Sequence, residues 1–152
     1  MGKLDNYFEH LNNHISGGRF STRSYEANRA GSRQKSADEF CRIKNFIAQF
    51  IVIEVNLERA TLKDALTFKD FITNLVSDEN KNIIIDLHKV NFMDSTFLGV
   101  LVSILKSLHN IDGQLKLILD FNNVALFKTI SRIKNMFNIY PDIQSVNESL
   151  KQ

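Results

Sequence analysis

The stretch of sequence that decides the fold, residues 82–108, is NIIIDLHKVNFMDSTFLGVLVSILKSL. Its first part, residues 82–87, is a mostly apolar run that is typical of a strand buried on both faces. Its last part repeats apolar residues at helical spacing and predicts a helix. The loop between the two delivers Asp94, Ser95 and Thr96 to the first turn of this helix. The sequence therefore predicts a hydroxyl side chain at a helix N-terminus.

Regular patterns on both sides of this stretch predict further strands and helices. Thr61 and either Asn122 or Asn123 are candidate helix caps. The sequence Ser145-Val146-Asn147-Glu148 has the spacing of a capping box and predicts the start of a terminal helix there. The predicted elements are strands at residues 40–46, 50–55, 115–119 and 137–140, and helices at residues 61–77, 95–109 and from residue 122 or 123 to about 133. This order predicts an α/β fold, a mixed β-sheet with helices packed on it.

Length and composition predict one globular domain with an N-terminal extension. The chain has 152 residues, of which 43% are hydrophobic, enough for one core. Residues 17–36 are polar, basic and glycine-containing, which is typical of a flexible linker. Before them, residues 4–15 carry one apolar stripe at helical spacing and predict a short amphipathic helix. We therefore expect an extension over residues 1–36, either native or a cloning leader, and a domain over residues 37–152.

Several classes of function are disfavoured by composition. The net charge of +2 argues against nucleic acid as a ligand, and no apolar run is long enough for direct membrane insertion. Cys41 is the single cysteine, so no intramolecular disulfide or cysteine zinc site is possible, and a cytoplasmic location is expected. His10 and His14 lack a third metal ligand. Without a glycine-rich phosphate loop or a G-x-S-x-G elbow, we expect no cofactor, no metal and no enzymatic activity.

Ser95 admits two interpretations that can both hold. Asp, Ser and Thr are preferred helix N-caps, each contributing about 1 kcal/mol, so the sequence Asp94-Ser95-Thr96 is expected from folding alone. A hydroxyl at a helix N-terminus is also a good place for a phosphate, because free amides and the positive end of the helix dipole face it.

The central stretch resembles the conserved motif of STAS domains, D-L-x-x-V-x-F-x-D-S-[ST]-G-x-G. The matching residues are Asp86, Leu87, Val90, Phe92, Asp94, Ser95, Thr96 and Gly99, and the sequence SVNESL at residues 145–150 resembles the family's S-x-x-E-A-L ending. The resemblance covers about residues 39–150. It implies the STAS-like mixed β-sheet, with Ser95 as phosphoacceptor, Asp94 and Thr96 flanking the site, and Thr96 a weaker acceptor candidate.

Two departures from the family pattern bear on partner choice. Phe97 stands where sigma-factor antagonists have Gly, and residues 55–60 lack the usual G-x-L-D element. The ring of Phe97 is either packed into the core or displayed as an anchor for a partner. Because the family fold needs no side chain at this position, we expect the exposed case. Phe97, Leu98 and Gly99 are therefore predicted to form the partner interface.

By resemblance, the chain is expected to be a non-enzymatic, phosphorylation-controlled protein-binding switch similar to an anti-sigma factor antagonist. Its partner would be an anti-sigma factor or related serine kinase, which phosphorylates Ser95 and is then released, and a phosphatase would reset the cycle. Two alternatives remain open: a stressosome-type STAS scaffold that self-associates, and a STAS accessory subunit of a membrane transporter.

Overall fold

A computed structural model describes residues 36–131, 133 and 135–151. The helix predicted at residues 4–15, nearly all of the predicted linker, and His10 and His14 lie outside the described residues. The boundary predicted between an extension and a domain stays a prediction.

The described part of the chain alternates strands and helices, and each predicted strand and helix within it is present, with end points that shift by a few residues. Two strands of two residues each, β3 and β5, were not predicted. The elements in order are a 3-10 turn (Ala37–Glu39), β1 (Cys41–Ile47), β2 (Phe50–Val55), β3 (Arg59–Ala60), α1 (Leu62–Leu75), β4 (Asn82–Asp86), β5 (Phe92–Met93), α2 (Ser95–Asn110), β6 (Gln114–Ile118), α3 (Val124–Ser131), β7 (Asn138–Tyr140) and α4 (Ile143–Leu150).

The main sheet has five strands in the order β1-β2-β4-β6-β7. β1 is antiparallel to β2, and the other neighbours are parallel. The short strands β3 and β5 form a separate parallel pair. The prediction of a mixed sheet covered by helices is confirmed.

The inner strands β2 and β4 are buried on both faces of the sheet, which explains the apolar run in β4. Ile83 and Ile85 point into the larger core, which includes buried side chains from α1, α2 and α3. Ile84, between them, points into a smaller core that includes Val146 of α4. A strand between two helical layers has no face to leave polar.

The terminal helix starts earlier than predicted. α4 begins at Ile143, and its N-cap is Asp142, whose carboxylate oxygen Oδ1 accepts a hydrogen bond from the amide of Ser145 at 2.7 Å. The predicted capping box at Ser145 and Glu148 is wrong, because Ser145 already lies inside the first turn. The aspartate upstream provides the cap that Ser145 was expected to provide.

Candidate functional site

Ser95 is the first residue of α2 and its side chain is exposed. The chain reaches it from β5, which pairs in parallel with β3 and is fixed there by the bond from the Asp94 amide to the Ala60 carbonyl at 3.1 Å. Thr96 is half-buried, so it is less accessible than Ser95. The structure therefore puts the predicted serine on the surface at a helix start.

Asp94 caps two helices with one carboxylate. Its Oδ1 accepts a hydrogen bond from the amide of Phe97 in α2 at 2.9 Å. Its Oδ2 accepts one from the amide of Leu62, the first residue of α1, at 2.8 Å. Thr61 occupies the N-cap position of α1, as predicted, but its side chain makes no capping hydrogen bond. Asp94 thus performs the capping that was expected of Thr61.

The N-termini of α1 and α2 consequently meet beside Ser95. Helix N-termini carry free backbone amides and the positive end of the helix dipole, and both favour a negative charge nearby. The first turn of α2 contains no acidic residue, so the only carboxylate that α2 supplies there is its N-cap, Asp94. Both oxygens of Asp94 accept hydrogen bonds from backbone amides, and the hydroxyl of Ser95 donates none to them in the structure.

The exposure predicted for Phe97 is wrong. Its side chain is 0% exposed, and its ring stacks on Phe68 of α1 with centroids 5.0 Å apart. Gly99 is also buried, and Leu98 is half-buried. The family's Gly indicated that the fold needs no ring here, but α1 of this chain supplies Phe68 as an apolar surface for one. Of the three predicted interface residues, Leu98 retains accessible surface.

Other apolar side chains near Ser95 are exposed instead. Leu62, whose amide is bound to Asp94, and Phe92 at the start of β5 are each 42% exposed. The guanidinium of Arg59 lies 4.2 Å from the centre of the Phe92 ring, because β3 pairs Arg59 with Phe92 in register. Sequence reasoning missed this group. β5 has only two residues, so no periodicity in the sequence indicated that Phe92 points outward and Met93 inward.

Among the residues that the structure describes, we also considered a metal site, a reactive thiol and a membrane-spanning helix. There, no three His, Cys, Asp or Glu side chains are grouped so that they could hold a metal ion. Cys41 is buried, and its burial raises the pKa of the thiol far above its usual value, which keeps it protonated and unreactive. No helix in this part of the chain is long and apolar enough to cross a membrane.

The chain is similar to a known family in its sequence and to known proteins in its fold. The sequence model of the STAS domain matches residues 61–146. No curated protein sequence matches the chain. Among solved structures, a putative anti-sigma factor antagonist from Thermotoga maritima is 22% identical with a TM-score of 0.59, over 75% of this chain and 96% of that one. An anti-sigma factor antagonist from Mycobacterium paratuberculosis is 17% identical with a TM-score of 0.61, over 74% and 93%.

The phosphorylated form of the Bacillus cell fate determinant SpoIIAA is also similar. It is 14% identical with a TM-score of 0.53, over 72% of this chain and 98% of that one. At such identities these structures show a shared fold alone.

Proposed function

Because the chain belongs to the STAS domain family, we propose that it is a phosphorylation-controlled protein-binding switch of the anti-sigma factor antagonist kind. The observation that carries the proposal is the position of Ser95, which is exposed, is the first residue of α2, and occupies the serine of the family motif. Ser95 is the proposed phosphoacceptor. Solved structures of the same fold include an antagonist in its phosphorylated form.

We expect the fold to tolerate a phosphate on Ser95. A phosphate adds a charge of about −1.5 to −2 and three acceptor oxygens. At the meeting point of two helix starts, each favourable interaction of such a charge with the amides and dipoles contributes about 0.3 to 1 kcal/mol. These interactions oppose the repulsion from Asp94, whose carboxylate is already engaged by the amides of Leu62 and Phe97. The modified domain should stay folded.

Phosphorylation of Ser95 would instead weaken the binding of the partner. A protein that covers Ser95 must remove water from a dianion next to Asp94, and burying an unpaired charge costs several kcal/mol. Because about 1.4 kcal/mol changes affinity tenfold, binding can be lost while the fold is retained. Ser95 would then gate association.

The contact surface that we propose around Ser95 consists of Leu62, Phe92 and Leu98. The first two are large exposed apolar side chains that the structure brings near the serine, and aromatic residues often dominate binding energy. Arg59 extends the surface from its place over the Phe92 ring. Phe97 does not contact the partner and instead holds α2 on α1 through Phe68.

The partner class follows from the proposed switch. We propose a cytoplasmic anti-sigma factor or related serine kinase that brings its own nucleotide site, and a phosphatase that resets the switch. The chain itself would act without enzymatic activity or cofactor. A transporter subunit would need no phosphate on Ser95, so phosphate there separates it from the switch. A scaffold would form a large homogeneous particle, whereas the switch would be a monomer or a dimer.

A capture experiment tests the gate. Tagged wild-type protein, Ser95→Ala and Ser95→Asp are used to capture partners from a lysate of the source cells, with quantitative mass spectrometry as the readout. Ser77→Asp is the matched control, because Ser77 is exposed and its hydroxyl accepts a bond from the Asn80 amide that Asp can also accept. We expect one partner to be recovered by all but Ser95→Asp. Equal recovery by Ser95→Asp, with all variants folded, would refute the gate.

A further inference from the structure

A second surface lies at the edge of the sheet, on β1. Among the described strands, β1 pairs with β2 only, so its outer side leaves backbone N–H and C=O groups unpaired by a neighbouring strand. Five consecutive residues of this strand, 42–46, are exposed. They include two large apolar side chains, Ile43 at 42% and Phe46 at 66% exposure.

A β-bulge brings these two side chains to one face. Residues three apart in a regular strand point to opposite faces, because side chains alternate. In β1 the register shifts between Ile43 and Asn45, so that Ile43 lies opposite Ile53 and Phe46 lies opposite Ile51. Ile51 and Ile53 point into the same core, which places Ile43 and Phe46 on the same side of the sheet edge. They form an exposed apolar strip.

On the other face of β1, opposite the apolar strip, the exposed side chains are positively charged. Arg42 lies 3.1 Å from the carboxylate of Glu54, and Lys44 lies within 4 Å of both Glu54 and Asp86, at 3.6 and 3.8 Å. The side chains of Glu54 and Asp86 are 5% and 7% exposed, whereas those of Arg42 and Lys44 are 69% and 43% exposed. Lys89 adds a third cation, 3.5 Å from Glu54. A molecule that approaches the edge therefore meets the cations and not the carboxylates.

This charge decides what the edge accepts. Two copies of β1 paired edge to edge would bring Arg42 and Lys44 of one chain against the same cations of the other, and like charges across a pair of strands are destabilising. Residues 1–36 carry six basic and three acidic side chains, so their charge does not complement the cations of the edge. A strand rich in acidic residues would complement them.

We propose that the outer edge of β1 is a binding surface for an extended acidic segment of another protein, which adds a sixth strand to the sheet. Backbone hydrogen bonds supply the common part of such binding, and alternate side chains supply specificity. The segment would place apolar residues against Ile43 and Phe46, and Asp or Glu residues against Arg42 and Lys44. This surface includes neither Ser95 nor the residues of the contact surface proposed around it.

A designed peptide tests the surface with the full chain. The probe is a seven-residue fluorescent peptide in which glutamate alternates with valine, and its counterpart alternates lysine with valine. Binding is followed by fluorescence anisotropy, and backbone amide exchange of residues 42–46 by NMR. We expect the acidic peptide to bind about tenfold or more tightly than the basic one, as charge complementarity requires, and to slow exchange of the outward amides of β1.

Matched variants locate the contact. Phe46→Ser should weaken the acidic peptide about tenfold or more, as loss of an aromatic anchor does. Val124→Ser should leave its affinity unchanged, because Val124 is a 74% exposed apolar residue of α3, away from this edge. Arg42→Gln should weaken binding, and Lys128→Gln, an exposed cation of α3, should not. Both cation variants leave Lys44 and Lys89 on Glu54, so the domain should fold.

Three outcomes would overturn the proposal. The first is equal binding of the two peptides, or no binding of either. The second is concentration-dependent dimerisation of the free chain that Phe46→Ser abolishes, since a second copy would then occupy the edge. The third is slow exchange of the β1 edge amides in the dilute chain without peptide, since a segment of the chain itself would then cover them.

Discussion

Replacing Asp94 with Ala should destabilise two helices at once. The carboxylate caps α2 through Phe97 and α1 through Leu62, and one cap contributes about 1 kcal/mol. Its negative charge near two helix starts adds about 0.3 to 1 kcal/mol for each. We therefore expect Asp94→Ala to lower the free energy of unfolding by about 2.5 to 4 kcal/mol.

The assay is urea unfolding followed by far-ultraviolet circular dichroism, because the chain has no tryptophan. Asp94→Asn keeps one carbonyl oxygen as acceptor but loses the charge and the second bond, so it should cost about 1.5 to 3 kcal/mol. Thr61→Ala is the control at the other candidate cap. It should change stability by no more than about 0.5 kcal/mol, because the Thr61 side chain makes no capping bond.

Amide exchange adds a readout that a local effect on α2 would not produce. The amide of Leu62 should exchange faster in Asp94→Ala, although it is 32 residues away along the chain. The double cap would be refuted if Asp94→Ala cost less than about 0.5 kcal/mol, or if Thr61→Ala cost more than Asp94→Ala.

Two further predictions concern the core and one acidic residue, Glu54. Phe97→Ala should lower the free energy of unfolding by about 3 to 5 kcal/mol in the same assay, because its ring is fully buried. Phe92→Ala should lower it by about 1 kcal/mol at most, because its ring is partly exposed. Similar costs for the two variants would contradict the assigned burial. Burial alone would raise the pKa of Glu54, but its cation neighbours outweigh burial and hold the pKa below the usual 4.5. The stability that Glu54 contributes is therefore present above pH 4.5 and is lost as the pH falls through the lowered pKa. The stability difference between wild type and Glu54→Gln should shrink in unfolding measurements from pH 7 to pH 3, and a constant difference would show that the ion pairs do not set this pKa.

The sequence predicted the parts of the fold that depend on local pattern. The long helices have apolar periodicity over many residues, and the inner strands of the main sheet are continuous apolar runs. All of them were predicted. The short strands β3 and β5 have two residues each, too few for any periodicity. They form because each supplies the other with a partner 33 residues away in sequence.

The errors at the site arise from tertiary contacts. Phe97 was expected on the surface because nothing in its own helix shows that Phe68 lies opposite it. The double cap on Asp94 likewise depends on where α1 begins in space. The strip formed by Ile43 and Phe46 depends on a bulge that the sequence does not mark. Ser95 was placed correctly at the start of α2 because an Asp-Ser-Thr sequence before an apolar helix is a local signal.

The proposed switch is tested most directly by site-localised mass spectrometry of the protein purified from its own cells. Trypsin should release residues 90–106 as one peptide, which contains Ser95, Thr96 and Ser103. Fragment ions between these residues assign the phosphate. We predict phosphate on Ser95. Phosphate confined to Thr96 or Ser103, or a peptide that remains unmodified through growth, stress and stationary phase, would contradict the assignment of Ser95 as the phosphoacceptor.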